Sequence, residues 1–162
     1  MHRHAMFAPG HPPARDLSLS RWEAVTREAL AAARETGAMA SLASHEEALS
    51  IAHQLLADPP PARAEACVAA LVVSCHNLAD LHAEQGDADA AVRYRCEAHE
   101  ALIALIADPA CAAPLRQAAL RQSRATHLAL IAHVASHGPH PLVTAVLRRA
   151  CLALNVDGPT RH

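Results

Sequence analysis

Histidine and cysteine pairs at helical spacing are the residues of this chain best suited to chemistry. The chain has 13 His and 5 Cys in 162 residues. Cys96 and His99 are separated by three positions and His133 and His137 by four, so each pair projects from one face of a helix. Thiolate and imidazole are ligands that zinc and copper prefer. A closed zinc site needs four ligands, however, and no CxxC or HExxH motif supplies even three.

Motifs of a catalytic site are missing from the sequence. It contains no glycine-rich phosphate loop, no GxSxG elbow and no recognisable pair of catalytic carboxylates. Cys75 and His76 are neighbours, but successive residues of a helix point about 100° apart, so the thiol and the imidazole do not form a nucleophile–base pair. We therefore expect that the protein is not an enzyme.

Composition favours an all-α protein. Hydrophobic residues make up 52% of the chain but aromatic residues only 2%, and the excess is mostly alanine and leucine, which are strong helix formers. The β-branched and aromatic residues that favour strands are too sparse for a sheet protein. A chain of 162 residues is most simply one domain. Because alanine lets helices approach closely, we expect stacked helical hairpins without a wide ligand cavity.

Charge is distributed unevenly along the chain. The net charge of −2 gives no bulk attraction to nucleic acid or membrane. Residues 1–111 carry eight Arg and fifteen Asp or Glu, a balance of −7, whereas residues 112–162 carry six Arg and one Asp, a balance of +5. A codon bias toward arginine explains this asymmetry, or else the C-terminal region offers arginines to an acidic partner. That partner is another protein or, in a homodimer, the acidic region of a second copy.

Nucleic acid is not an expected partner. Arg116, Arg121 and Arg124 form a stripe that can contact RNA phosphates, but the aromatic residues on which bases stack are missing.

Cysteine usage and hydropathy indicate a soluble cytoplasmic protein. The number of cysteines is odd, and no secretory segment accompanies them, so reduced thiols are expected instead of a disulfide framework. No window reaches the ~18 uncharged apolar residues of a membrane span, and we expect no contact with a membrane.

Proline and glycine breaks divide the chain into six predicted helices. Residues 1–17, rich in His and Pro, are interpreted as a flexible tail, residues 18–155 as the helical domain and residues 156–162 as a polar tail. Ser20 with Glu23, and Ser44 with Glu47, have the spacing of capping boxes at helix starts. The expected helices cover residues 21–35, 44–57, 62–84, 88–107, 115–136 and 142–154.

These breaks recur at an interval of about fifty residues. The run LLADP at 55–59 returns as LIADP at 105–109, and Gly37 is followed by Gly86. Self-similarity on this scale indicates stacked helix pairs, so we predict six antiparallel helices in three stacked hairpins. The residues expected in the core are Leu30, Leu49, Leu56, Leu71, Leu78, Leu81, Leu102, Leu105, Leu120, Leu128, Ile131 and Leu147.

The middle of the chain resembles the tetratricopeptide repeat (TPR) family. Leu78-Ala79 is similar to the family's large–small pair, the QGD run at 85–87 to its inter-helix turn, and Ala91 and Ala98 to the small residues of its second helix. Asp108-Pro109 resembles its terminating Asp-Pro.

Three features depart from the TPR pattern. His82 and Arg95 stand where the family prefers aromatic residues, Asp108-Pro109 comes about ten residues late, and a period of about fifty exceeds the usual 34. The run VVSCHNLA at 72–79 also resembles a small uncharacterised bacterial family of short TPR-like proteins.

The TPR resemblance implies a concave groove lined by the first helix of each hairpin. Asn77 stands where peptide-clamping repeats place an asparagine that holds a peptide backbone, although the lysines that usually accompany it are missing. The groove residues implied in this way are Arg27, Arg34, His76, Asn77, Asp80, Glu84, Thr126, His127 and His133.

Two functions are compatible with this sequence. The leading hypothesis is a non-catalytic adaptor that binds a protein or peptide segment along the groove and needs no cofactor. The alternative is a transition-metal-binding or metal-responsive protein that holds zinc or copper. Its candidate ligands are His76, Asp80, His127, His133, Cys96 and His99.

Overall fold

Six α-helices make up the described part of the chain, residues 14–59 and 61–155 of a computed structural model. A single 3₁₀ turn, Pro61–Arg63, precedes the third helix, and no strand occurs within those ranges. The predicted all-α class is therefore confirmed. The helices are α1 Ala14–Glu35, α2 Ala38–Ala57, α3 Ala64–Glu84, α4 Ala88–Ala107, α5 Ala113–His137 and α6 Pro141–Asn155.

Helix boundaries agree with the sequence except at the start of the chain. The range of α4 is the predicted one, and those of α3, α5 and α6 differ by at most two residues at either end. α1 and α2 begin earlier, at Ala14 and Ala38, so Ser20 and Ser44 lie inside helices and neither capping box forms. The residues before both serines favour a helical conformation, so each helix begins several residues before its serine. Residues 1–13 of the predicted N-terminal tail, and 156–162, lie outside the described residues.

The turn between α3 and α4 forms where the QGD run predicts it. Gly86 adopts φ +79°, and its N–H donates to the carbonyl of Ala83 at 3.0 Å. The Asp87 carboxylate then accepts from the N–H of Ala90 at 3.0 Å and caps the start of α4. The local chemistry of three residues therefore fixes the direction in which α4 leaves α3.

α3 is the central helix of the fold. One side of it, with Leu71, Cys75 and Leu78, packs against the buried residues of α2 and the start of α1. Another side, with Val68 and Val72, packs against α4 and α5. α3 is also long and apolar enough to span a membrane, alone in this respect among the described helices, but 56% of the relevant window is buried by its neighbours. Its apolar character is therefore that of a core helix.

A hydrogen bond joins α1 to this central helix. The indole N–H of Trp22 donates to Ser74 Oγ at 2.9 Å. α1 otherwise packs on α2, and it touches α3 only slightly.

Helices in the second half of the fold lie side by side in parallel. α5 runs in the same direction as α3, since Arg121 pairs with Glu65 and, further along both helices, His133 shares a cavity with His76. α6 runs in the same direction as α4, since Val143 and Val146 pack on Val92 and Cys96 and, further along, Arg149 pairs with Glu100. α6 packs extensively on α4 and only slightly on α5. α5 begins 49 residues after α3, and α6 begins 53 residues after α4, which is close to the fifty-residue interval of the sequence.

Four residues expected in the core are exposed. The exposed fractions are 38% for Leu30, 49% for Leu120, 55% for Leu128 and 44% for Ile131. Three of the four lie on α5, whose outer side stays uncovered because α6 packs on α4 instead. The others are buried or half-buried, as expected: Leu49, Leu56, Leu71, Leu78, Leu81, Leu102, Leu105 and Leu147.

We predict that Gly86→Val lowers the free energy of unfolding by about 1–2 kcal/mol, because a β-branched residue is strained at positive φ. No atom lies within 4 Å of a Cβ built at this position, so the cost comes from the backbone alone. Gly86→Asn should cost clearly less, since asparagine tolerates the left-handed region. Urea denaturation measures all three proteins, and equal stability of the Val and Asn variants would contradict the explanation.

Candidate functional site

A polar groove lies between the parallel helices α3 and α5. Its volume is about 400 Å³. Two small residues of α5, Ala129 and Ala132, line it and leave space for an extended ligand. We call it the α3–α5 groove. Its polar lining residues are His76 and Asp80 of α3, Arg95 of α4, and His133, Ser136 and His137 of α5.

Arg95 connects the three helices of the groove. Its Nη2 lies 3.3 Å from Asp80 Oδ1, and its Nη1 lies 3.2 Å from His133 Nδ1. A guanidinium group has donors only, so Nδ1 of His133 must be the acceptor. His133 is therefore neutral, with its proton on Nε2. One arginine thus sets both the tautomer of this imidazole and the position of the Asp80 carboxylate.

Two further imidazoles surround His133. The His137 ring stacks on it with 4.5 Å between centroids, and the His140 ring meets it edge-on at 6.4 Å. His137 donates from Nδ1 to the carbonyl of His133 at 3.2 Å. His140 accepts at Nδ1 from the N–H of Leu142, and its Nε2 lies 3.8 Å from Asp89. These contacts hold all three rings in defined orientations at the end of the groove.

Burial disfavours the charged form of two groove imidazoles, His133 and His76, by lowering their pKa values. It lowers the pKa of His133, and the neighbouring His137, Arg95 and His140 lower it further. Burial likewise lowers the pKa of His76, where Asp80 acts in the opposite direction and Arg95 in the same direction. The Nε2 atom of His76 is buried and has no hydrogen-bond partner in the described part of the chain. The groove therefore combines imidazole donors and acceptors with the paired Arg95 guanidinium and Asp80 carboxylate.

Only some of the groove residues expected from the sequence meet there. His76, Asp80 and His133 line it. Asn77 is half-buried and Glu84 is exposed, and neither lines the cavity. Arg27 and Arg34 are exposed on α1, which touches α3 too little to extend the groove.

Thr126 and His127 also differ from the expectation. His127 is exposed outside the groove, and Thr126 is fully buried. The Thr126 hydroxyl donates to the carbonyl of Ser123 at 3.0 Å, so it accepts from Nδ1–H of His99 at 2.8 Å. Burial lowers the pKa of His99, with His127 adding to the effect. Thr126 and His99 thus form a structural link between α4 and α5, not a binding surface.

The metal ligands expected in the alternative function do not converge. No group of three or more His, Cys, Asp or Glu that could hold a metal occurs within residues 14–59 and 61–155. Cys96 is buried with Val92, Leu130 and Val143, and burial raises the pKa of its thiol to about 11. A protonated thiol is a poor ligand. His76, Asp80 and His133 share the groove, but the Arg95 guanidinium lies among them and opposes a cation.

Sequence reasoning missed Arg95 and placed His137 only in a metal pair. Both belong to the groove. Arg95 lies on the second helix of its hairpin, whereas the TPR resemblance draws attention to first helices. One feature of the sequence could have identified Arg95: it is a charged residue at a position where the TPR family prefers an aromatic one.

A second cleft of about 520 Å³ lies beside α1 and α2. Its charged residues include Arg21 and Glu47, which are exposed and paired with each other at 2.7 Å. It has no buried polar group comparable to those of the α3–α5 groove. We therefore take the α3–α5 groove as the candidate site.

The fold and the site define an all-α protein of packed helix pairs with a polar groove between two parallel helices. The model of a protein family of unknown function, DUF2753, matches residues 20–162. The chain belongs to this family. No curated protein and no solved structure matches it.

We predict that the unfolding free energy of the protein falls as pH decreases from about 7 to about 5, and falls less in His133→Asn. The lowered pKa of folded His133 means that the unfolded state takes up a proton first, below about 6.5. Stability is therefore greatest above that pH and is lost as pH falls toward the folded pKa. Asparagine keeps an acceptor for Arg95 without titrating.

Urea titrations at the two pH values measure this difference. His45, His76 and His99 retain their own share of the decrease, because burial lowers their pKa values too. An equal decrease in wild type and His133→Asn would contradict the prediction.

Proposed function

We propose that the protein is a non-catalytic adaptor that binds an extended segment of another protein along the α3–α5 groove. The observation that carries the proposal is Arg95, held between Asp80 and His133 on the floor of the groove. It places a charged donor, a carboxylate and an imidazole in one narrow space.

The polar atoms of the groove complement a peptide backbone, which offers donors and acceptors in alternation. His133 carries a proton on Nε2 and can donate. Asp80 can accept, as can Nε2 of His137, whose Nδ1–H is already used by a backbone carbonyl. Ala129 and Ala132 provide an apolar wall with room for side chains. Strand-like or irregular peptide segments fit such a surface through main-chain hydrogen bonds with modest side-chain preference.

The proposal includes a TPR-like relationship and a cytoplasmic location in a bacterium. The turn at Gly86 and the parallel stacking of α3 with α5 support the first. The five cysteines support the second, because all are free thiols, as is usual in a reducing compartment.

Two arginines on α4 give a matched test. Arg95→Gln removes the charge from the groove, whereas Arg93→Gln removes an exposed charge two positions away that does not line it. Wild type and both variants serve as baits in quantitative affinity purification. We expect a set of proteins that Arg95→Gln loses and Arg93→Gln retains.

A peptide from a lost partner should then bind wild type and Arg93→Gln equally in calorimetry, and Arg95→Gln about tenfold or more weakly. A hydrogen bond to a charged group contributes about 1.5–3 kcal/mol, and 1.4 kcal/mol corresponds to tenfold. Identical partner lists for all three baits would contradict the proposal.

A second pair of variants separates blocking of the groove from damage to its polar contacts. Ala132→Tyr fills the groove without replacing a charged residue, and Ala135→Tyr places the same ring on an exposed position on the outer side of α5. Binding should be lost in the first variant and kept in the second, and circular dichroism should show equal helix content in both.

A further inference from the structure

The outer side of α5 carries a row of exposed apolar residues. Leu120, Leu128 and Ile131 are exposed by 49%, 55% and 44%. Together with Arg124 they follow the spacing i, i+4, i+8 and i+11, which is one helix face about 16 Å long. We call Leu120, Arg124, Leu128 and Ile131 the α5 stripe.

The α5 stripe is not needed to pack α5 against the other helices of residues 14–59 and 61–155. The opposite face of the helix supplies the core contacts, with Leu115, Ala118, Ala119 and Leu130 buried. α6 does not cover the stripe, because it packs on α4 and only slightly on α5. The terminal element of a stacked helical array normally has a polar outer face. Three large apolar residues in a row on such a face indicate a contact with another molecule.

Charge around the stripe is positive. α5, which carries the stripe, contains three arginines and no Asp or Glu. Arg121 is paired with Glu65, and Arg116 donates to backbone carbonyls. Arg124 has no hydrogen bond or ion pair within the described ranges, and it lies between Leu120 and Leu128. The stripe therefore joins apolar contact area to an uncompensated guanidinium group.

We propose that the α5 stripe docks an amphipathic helix of another protein, with apolar residues on one face and Asp or Glu beside them. Apolar residues of the partner pack between Leu120, Leu128 and Ile131, and a carboxylate pairs with Arg124. A symmetric contact between two copies is disfavoured, because it would bring the arginines of two α5 helices together. Because this face lies opposite the core side of α5, the site does not depend on the α3–α5 groove.

Designed peptides test the proposal directly. The first probe is a helical peptide of about 20 residues with leucines on one face and glutamates beside them. The second has lysines in place of every glutamate. Fluorescence anisotropy with the full-length protein should show saturable binding of the acidic peptide, weakening as salt rises, and at least about tenfold weaker binding of the basic peptide.

Variants locate the binding on the stripe. Leu128→Gln and Ile131→Gln should each weaken binding of the acidic peptide several-fold, and about tenfold together. Leu30→Gln on α1, another exposed leucine, is the matched control and should leave binding unchanged. Arg124→Glu should lose the acidic peptide and gain affinity for the basic one. All four positions are exposed, so urea denaturation should show wild-type stability.

Three outcomes would overturn the proposal. One is equal binding of the two peptides, or no saturable binding of either. Another is unchanged binding by the stripe variants. The third is a concentration-dependent dimer in sedimentation that Leu128→Gln converts to monomer, which would make a second copy the occupant. None of these measurements involves Arg95 or Ala132, so failure here is distinguishable from failure of the groove proposal.

Discussion

Enclosure of α3 is the constraint on which the rest of the structure depends. Its apolar residues face more than one direction, so no single partner helix can cover it, and a helix of this kind must lie inside a protein. α2 and the start of α1 cover the side of α3 that carries Leu71, Cys75 and Leu78. α4 and α5 cover the side that carries Val68 and Val72. α5 is consequently held parallel to α3. The groove is the space left between these two helices where alanines replace larger side chains.

Two buried or half-buried polar contacts then fix how α4 meets α5. His99 bonds Thr126, and one turn earlier along α4 Arg95 bonds His133. A slip of α5 by one turn would break both contacts and leave buried polar atoms without partners, at a cost of about 1–3 kcal/mol each. The first contact is purely structural. The second contact fixes the same alignment of α4 and α5, and its two residues line the groove. The geometry of the site is therefore a consequence of core packing.

Local features of the sequence predicted local structure well. The Gly86 turn and the bounds of α4 follow from a few adjacent residues, and the all-α class follows from composition. Ser20 and Ser44 misled because a capping signature competes with the helix propensity of the residues before it. The exposure of Leu128 could not be predicted from periodicity, because it depends on whether α6 packs against α5 or against α4. His76 and His133 were found from the alignment of first helices, and Arg95 was missed because it lies on a second helix.

The position of α6 accounts for the open outer side of α5. α6 packs extensively on α4 and only slightly on α5, so Leu128 and Ile131 stay exposed. Val143 and Val146 of α6 join Val92 and Cys96 of α4 in a cluster that also contains Leu130 from the inner side of α5. α5 is then covered on its inner side only, where the groove lies along one margin, and its outer side stays open. The open apolar side of α5 therefore follows from the packing of α6 on α4, whereas the polar groove follows from the packing of α5 beside α3.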